Sequence, residues 1–401
     1  MTPTALPSKF ATNTNYSTGP DSGTATKVDP ASTGNGFVAG TAIAPQHMNF
    51  LLNQENSFLR RQWLLNAASP VQVLDAFPDG NAEIGVCMMP SGQLLVARWD
   101  SNRGAAIVTD WGRVDAAGDF ISITNGLSSD VDDAASNGSV VVLVGTGGHN
   151  NVYTSNSGAS FTAGGSLAYT GSYKRVVWNQ SKSKWHTACV GTDNNVYSNA
   201  STPSAAWSGV ASGASSLYGL AVLSNGNLYV LGDNGVTSDP LIRVSTDGAA
   251  TFANDGTQIP NASTYEESGS MAGNGGSAIY HVGRIGTTEL AICRRTASLG
   301  WTLAAAFTNL NLAVTSFDAR PRILMCADTG LLVVACQCTV GGISQTLLLA
   351  SLDGTDWLGP LFLAPASDVG IILGIGGGRL VASRDTAIYW SRGIGQIGSL
   401  V

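Results

Sequence analysis

Charge is scarce in this sequence. Lys, Arg, Asp and Glu together make up 12% of its 401 residues, against ~25% in ordinary domains. The balance is acidic, at −7, so there is no basic footprint for nucleic acid. Histidine is scarcer still. His47, His149, His186 and His281 stand apart from one another, without HExxH spacing or a Cys/His pair, which removes the common zinc motifs. His186 and His281 fall inside strand-like runs and read as core or edge residues. No apolar run is long enough for a transmembrane helix, and membrane insertion is not expected. The opening MTPTALPSKFATNTNYSTG lacks the apolar stretch of a signal peptide, so the chain is expected to fold in a cytosol.

Cysteine is limited to Cys87, Cys189, Cys293, Cys326, Cys336 and Cys338, nearly all in apolar strand-like runs. Cys336 and Cys338 share one face of a strand, a poor spacing for a mutual disulfide or a tetrahedral metal site. All six read as reduced, buried, small hydrophobes.

What the sequence does have is glycine and short apolar runs. Glycine supplies 49 residues and hydrophobic types 44%, a composition of turns joining many short strands. Residues 1–40 are rich in Thr, Ser, Gly, Pro and Asn and should not order alone. Residues 45–66 form the one convincing long helix. Pro45 suits its first turn, and Met48, Leu51, Leu52, Phe58, Leu59 and Trp63 recur at helical spacing. Arg60 and Arg61 fall in its last turns, where the helix dipole favours cations.

Beyond residue 70 the sequence repeats. Apolar cores occur at Gly92-QLLVA, Gly138-SVVVLV, Lys184-WHTACV, Gly226-NLYVL, Gly276-SAIYHV, Gly330-LLVVA and Gly378-RLVAS, roughly 42–54 residues apart. A second run follows each: AAIVTD, NVYTSN, NVYSNA, LIRVSTD, LAICRRT, TLLLASLD and AIYWSR. Seven units of this period match the blades of a β-propeller, whose radial sheets bury one another's faces. The expected fold is mainly β: a seven-bladed propeller over 70–401, preceded by an arm over 1–67 with one amphipathic helix. The last unit is short, and VQVLDAF at 71–77 alternates suitably to complete it, joining the two ends of the ring.

Three turns carry a resemblance. Thr154-SNSGASF, Ser245-TDGAATF and Ser351-LDGTDW resemble Asp-boxes (BNR repeats), the Ser-x-Asp-x-Gly-x-x-Trp hairpins of sialidase-like propellers. The acidic or amide side chain accepts turn N–H groups, glycine takes a positive φ, and the aromatic ring plugs the blade. Thr154, Asn156, Gly158 and Phe161 form the first copy; Ser245, Asp247 and Phe252 the second; Ser351, Asp353 and Trp357 the third. Asn156 replaces aspartate, Ala249 sits at the glycine position, and the third copy is one residue short.

The resemblance to sialidases implies three arginines, a tyrosine nucleophile with a glutamate, and an aspartate acid. Tyr265-Glu266-Glu267 and Arg98, Arg175, Arg320 and Arg322 are present, but the Arg-Ile-Pro signature is not, and the arginines do not recur at matching positions. Tyr265 reads more simply as a loop residue, and no catalysis is expected. Asp130, Asp132 and Asp133 lack the spacing of a calcium loop and read as a solvated turn. Gly374-IGGG has no P-loop lysine and reads as a turn. No cofactor or metal is expected.

The segment Gly36-FVAGTAIAPQHMNFLLNQENSFL resembles the start of tailed-phage tail and fibre proteins, through Phe37, Gly40, Thr41 and Asn49. That resemblance implies a non-enzymatic virion protein of the tail or fibre, assembled in the bacterial cytoplasm. Its arm would dock on other tail or head-tail proteins in a symmetric, multi-copy assembly. The propeller would contact virion neighbours or, in host attachment, a surface glycan or receptor. The alternatives are a sialidase-like glycan hydrolase and a cellular propeller scaffold.

Overall fold

The structure, a computed structural model, describes residues 70–75, 84–100, 103–109, 119–122, 131–145, 151–155, 161–167, 172–190, 194–200, 202–235, 239–318, 321–326, 330–363, 372–376, 379–384 and 387–391. The chain divides into Met1–Leu64 and Leu65–Val401, and every described residue belongs to the second unit. The expected helix over 45–66, with Met48, Leu51, Leu52, Phe58, Leu59 and Trp63, lies outside the described residues. So do Asn156 and Gly158.

The described residues form seven small sheets in chain order, after an opening strand β1 (Pro70–Asp75). Sheet 1 runs β2 (Ile84–Met88), β3 (Leu94–Asp100), β4 (Arg103–Thr109) and β5 (Asp119–Ser122). Sheet 2 runs β6 (Val131–Ser136), β7 (Val141–Gly145), β8 (Asn151–Ser155) and β9 (Thr162–Ser166). Sheet 3 runs β10 (Ser172–Asn179), β11 (Lys184–Val190), β12 (Asn195–Asn199) and β13 (Ser208–Ala211). Sheet 4 runs β14 (Leu217–Leu223), β15 (Leu228–Asp233), β16 (Pro240–Ser245) and β17 (Ala253–Asn254). Sheet 5 runs β18 (Tyr265–Ala272), β20 (Ala278–Ile285), β21 (Glu289–Thr296) and β22 (Thr302–Thr308). Between β18 and β20, β19 (Asn274–Gly276) pairs parallel to β14 of sheet 4. A single-turn helix, α1 (Asn309–Leu312), follows. In sheet 6, β23 (Ser316–Phe317) and β24 (Arg322–Met325) both pair with β25 (Leu332–Val340), which leads to β26 (Ile343–Ser351) and β27 (Leu358–Leu363). Sheet 7 runs β28 (Ile372–Gly376), β29 (Arg379–Arg384) and β30 (Ala387–Ser391). Its fourth strand is β1.

The repeated apolar cores are the second strands of the sheets. They read as unbroken runs because both faces are buried, with alternate residues serving two different cores. In β7, Val141 and Leu143 pack towards sheet 1 with Leu95, Ala97 and Phe161. Val142 and Val144 pack towards sheet 3 with Trp185 and Cys189. The pattern continues between sheets 3 and 4, 4 and 5, and 5 and 6. Each fully buried large side chain contributes roughly 1.5–3 kcal/mol. The turns before several of these strands need glycine for its backbone alone. Gly92 and Gly330 have φ of 80° and 71°, and a Cβ there would meet nothing within 4 Å.

The first strands of successive sheets pack on one another, β2 on β6, β6 on β10, β10 on β14, β14 on β18 and β18 on β24. The circuit returns through β24 on β28 and β28 on β2. Close approach at this hub requires small residues. A Cβ on Gly85 of β2 would stand 2.8 Å from the Cβ of Ala134 on β6. Gly374, expected in a turn, is instead inside β28, against Val86 of β2. Gly374 and Gly376 mark tight sheet packing rather than a loop.

The pairing of β1 with β30 joins two segments more than 300 residues apart in sequence. It is antiparallel, with Val71 opposite Trp390 and Gln72 opposite Tyr389, and a register shift between Gln72 and Leu74. VQVLDAF was expected to fill this position, and its strand runs over 70–75. Deleting residues 70–75 should bare the edge of β30 and promote aggregation, whereas deleting 1–40 should leave a soluble, folded protein. Light scattering of the two deletion variants checks this; equal tolerance would mean that the last sheet is completed otherwise.

Candidate functional site

The first strands of all seven sheets line one cavity of about 620 Å³. Apart from β14, whose end pairs with β19, the first strands carry an edge whose polar groups must be met by side chains or solvent. Asp133 of β6 meets sheet 3. Its Oδ2 accepts the Val176 N–H at 2.9 Å, and its Oδ1 lies 3.8 Å from Arg175 Nη1. Between sheets 5 and 6, Ser270 Oγ accepts the Ile323 N–H at 2.7 Å. Tyr218 of β14 lines the cavity and donates its hydroxyl to Asp233 Oδ2 at 2.6 Å.

Asp132 and Asp133 correct the expectation of a solvated turn. They lie in β6, Asp132 buried and Asp133 half-buried, and both line the cavity. Sequence missed them because a carboxylate pair before Ser-Asn-Gly looks like a surface turn; the long-range partner, Arg175, is invisible locally. Arg175 and Arg322 line the same cavity. The contact of Arg175 with Asp133 is too long for a hydrogen bond, so the guanidinium keeps donors for a polar ligand. Arg98 lies in β3 and Arg320 outside the described residues, so the four arginines are not one described cluster.

Tyr265 corrects a second expectation. Instead of a loop residue it opens β18 and is buried with Met271, Ile279 and Trp301. Its hydroxyl lies 3.5 Å from Cys293 Sγ. Burial, with Cys293 beside it, pushes the phenol above its ordinary pKa, the opposite of what activates a nucleophile. It does not line the cavity.

The Asp-box turns are hydrogen-bonded in detail. Asp247 Oδ1 accepts the N–H groups of Ala250 and Thr251, each at 3.0 Å, and its Oδ2 accepts the Thr251 hydroxyl at 2.6 Å. Asp353 Oδ1 accepts from Thr355 and Asp356 at 2.8 and 2.9 Å. The serines are the buried members. Ser245 Oγ accepts the Ala249 N–H at 2.8 Å, and Ser351 Oγ accepts the Gly354 N–H at 2.8 Å. Ala249 adopts φ of 67°, a left-handed conformation that usually falls to glycine. Phe161 is fully buried between sheets 1 and 2, while Phe252 and Trp357 are partly buried plugs. Thr154 lies in β8 opposite Val142.

Each of the last two turns is also held by the preceding sheet. Lys184 Nζ donates to Gly248 O at 3.3 Å, and the Tyr280 hydroxyl to Asp353 O at 3.2 Å. These contacts are structural, and the turns do not line the cavity. Hydrogen bonds from Thr251 and Ser245 hold the Asp247 carboxyl well below the ordinary carboxylate range. Burial opposes ionisation of Asp353, but N–H groups of Asp356 and Thr355 and nearby hydroxyls outweigh it, and its pKa is also lowered.

His186 and His281 are both fully buried. His186 Nδ1 lies 2.7 Å from Ser198 Oγ, and His281 stands edge-on to Tyr265 and Trp301. Burial pushes both imidazoles down to about 3, helped at His186 by the Lys184 ammonium. All six cysteines are buried thiols, outside any disulfide. Among the described residues, no group of three or more His, Cys, Asp or Glu is arranged to hold a metal, and no helix is long and apolar enough to cross a membrane.

No family model and no curated protein matches the chain. Solved structures match its fold. The β-propeller domain of Myceliophteria thermophila Cps50 (Swd1) superposes with a TM-score of 0.52 at 10% identity, covering 81% of this chain and 99% of that one. A chain of the Mitotic Checkpoint Complex gives 0.50 at 12% identity, covering 81% and 95%. The extracellular domain of the hybrid two component system BT4673 from B. thetaiotaomicron gives 0.52 at 8% identity, covering 80% of this chain and 39% of that one. The described part of the chain thus has a mainly-β, propeller-like fold. At such identities the likeness concerns fold alone.

Two predictions follow from the buried groups. Ser245→Ala or Ser351→Ala strands a turn N–H away from water and should cost about 1–3 kcal/mol. Asp247→Ala leaves its N–H groups to solvent and should cost about 0.5–1 kcal/mol; urea denaturation should rank them in that order. For the histidines, the folded state prefers the neutral ring, so protonation below about 6.5 favours the unfolded chain. Stability should fall as pH drops from about 6.5 towards 3, and His281→Phe should make the fall in melting temperature between pH 7 and pH 4 shallower.

Proposed function

We propose that this chain is a non-enzymatic structural and binding component of a tailed-phage particle, in the tail or its fibres. In this reading each sheet is one blade of a seven-bladed propeller. Residues 1–67 are an arm that docks on other virion subunits. The reading is carried by the cavity in which the seven first strands converge. It offers Arg175, Arg322 and Tyr218 from three sheets, in a volume typical of ligand sites at about 300–1,000 Å³. Such a constellation suits a polar loop of a neighbouring protein or a sugar of a host-surface glycan. A sialidase-type hydrolase is disfavoured because Tyr265 is sealed in the core rather than exposed in that cavity.

The phage assignment is supported by the Phe37, Gly40, Thr41 and Asn49 segment and by the apolar stripe that follows it. A stripe of five or six large side chains offers several kcal/mol on burial, at roughly 1.5–3 kcal/mol each. That is enough to order a helix against a partner. The test is to build Leu52→Asp with Leu59→Asp, and separately Arg175→Ala, into particles. The double variant should keep its melting temperature and be lost from particles. Arg175→Ala should be incorporated, with weakened adsorption to the host. Normal incorporation of the double variant, or unfolding of the propeller by it, would overturn the docking role.

A further inference from the structure

The outer edge of a sheet invites pairing with a foreign strand unless something blunts it. Among the described residues, six of the seven outermost strands are blunted. β1 carries Pro70 and Asp75, β5 begins with Asp119, and β27 contains Gly359-Pro360. β9 holds two glycines, β13 has four residues with one glycine, and β17 has only two residues.

The outer strand of sheet 5, β22, is different. It has seven residues, TLAAAFT, without glycine, proline or charge. A register shift at Ala304 is its one irregularity, and Ala305–Thr308 then pairs regularly with Ile292–Glu289. Leu303 is opposite Cys293 and Ala306 opposite Ala291, and those partners face the core shared with sheet 4. Opposed residues share a face, so Leu303 and Ala306 point towards sheet 4. The outermost strand there is the two-residue β17, and both side chains stay exposed. Five large apolar side chains are exposed among the described residues, and three belong to this short stretch. Leu299 is 63% exposed just before the strand, Leu303 49% within it, and Leu310 85% just after it.

We propose that β22 is a self-association edge, where a second copy of this chain adds its own β22 antiparallel about a two-fold axis at Ala306. The axis sets Ala306 opposite Ala306 and Ala305 opposite Phe307. Ala305 and Phe307 both border the core between sheets 5 and 6, so their side chains fall on the same face of the joined sheet, as such pairing demands. A methyl group at the axis lets the strands approach. Without charge on the strand, nothing selects a foreign partner electrostatically and nothing repels a second copy. A closed, isologous dimer follows from this geometry. It does not rest on the phage reading or on the cavity.

The test uses the full-length chain in analytical ultracentrifugation. The sedimenting mass should rise from one chain to two with concentration. Ala306→Lys sets two ammonium groups against each other at the axis and should remain one chain throughout, with its melting temperature unchanged. Ala306→Cys should form a disulfide-linked dimer on oxidation, whereas Thr302→Cys, four residues from the axis, should not; the six native thiols are buried and give no background. A mass of one chain at every concentration would overturn the proposal. So would self-association of Ala306→Lys equal to that of the parent, or equal cross-linking at 302 and 306.

Discussion

A four-stranded sheet with apolar residues on both faces has nowhere to put either face except against another such sheet. The second strands here have that character, with Leu94, Leu95, Val96 and Ala97 all essentially inaccessible in β3, and Val141–Val144 likewise in β7. Burial of every face then requires that the series of sheets return to its start. It does so at the hub, where β28 packs on β2, and at the rim of sheet 7, where β1 pairs with β30. Closure is therefore a condition of stability for the whole unit. The glycines of the first strands are its steric consequence, since a side chain at Gly85 or Gly374 would hold neighbouring sheets apart.

Polar chemistry is confined by the same architecture. Between sheets the interior is largely apolar; burial keeps His186 and His281 neutral there, and the buried Asp255 is paired with Arg295 at 2.8 Å. Charged and hydrogen-bonding groups gather where backbone edges are exposed, at the hub and at the turns. Asp133 and Ser270 satisfy backbone N–H groups of the next first strand. Ser245 and Ser351 do the same inside their turns. Arg175, 3.8 Å from Asp133 Oδ1 at the hub, is the group on which the proposed binding role chiefly rests.

Much of this was legible in the sequence, and the limits have a physical origin. Second and third strands stood out because a doubly buried strand is a continuous apolar run after a turn residue. Residues 71–77 stood out because their alternation fitted the missing strand. The burial of the six cysteines follows from their apolar neighbours in the sequence. First strands were hard to see where the hub takes small and polar residues, as in VDDAAS of β6 and YEESGSMA of β18. Hence Asp132, Asp133 and Gly374 were read as turn residues, and Tyr265, at the start of such a strand, as loop. The cavity that these strands line depends on pairings roughly 40–50 residues apart, and no local pattern encodes it. The open edge of β22 was likewise invisible, since its meaning comes from comparison with six blunted edges.

The closure of the unit by its own first strand is the claim on which the rest stands. Hydrogen–deuterium exchange of the intact chain tests it most directly. If β1 belongs to sheet 7, amides in 70–75 should be protected to the same degree as those in 387–391, and both should open together. Rapid exchange in 70–75 alongside strong protection in 387–391 would show that the ring is not closed by this strand, and the account would fail at its foundation.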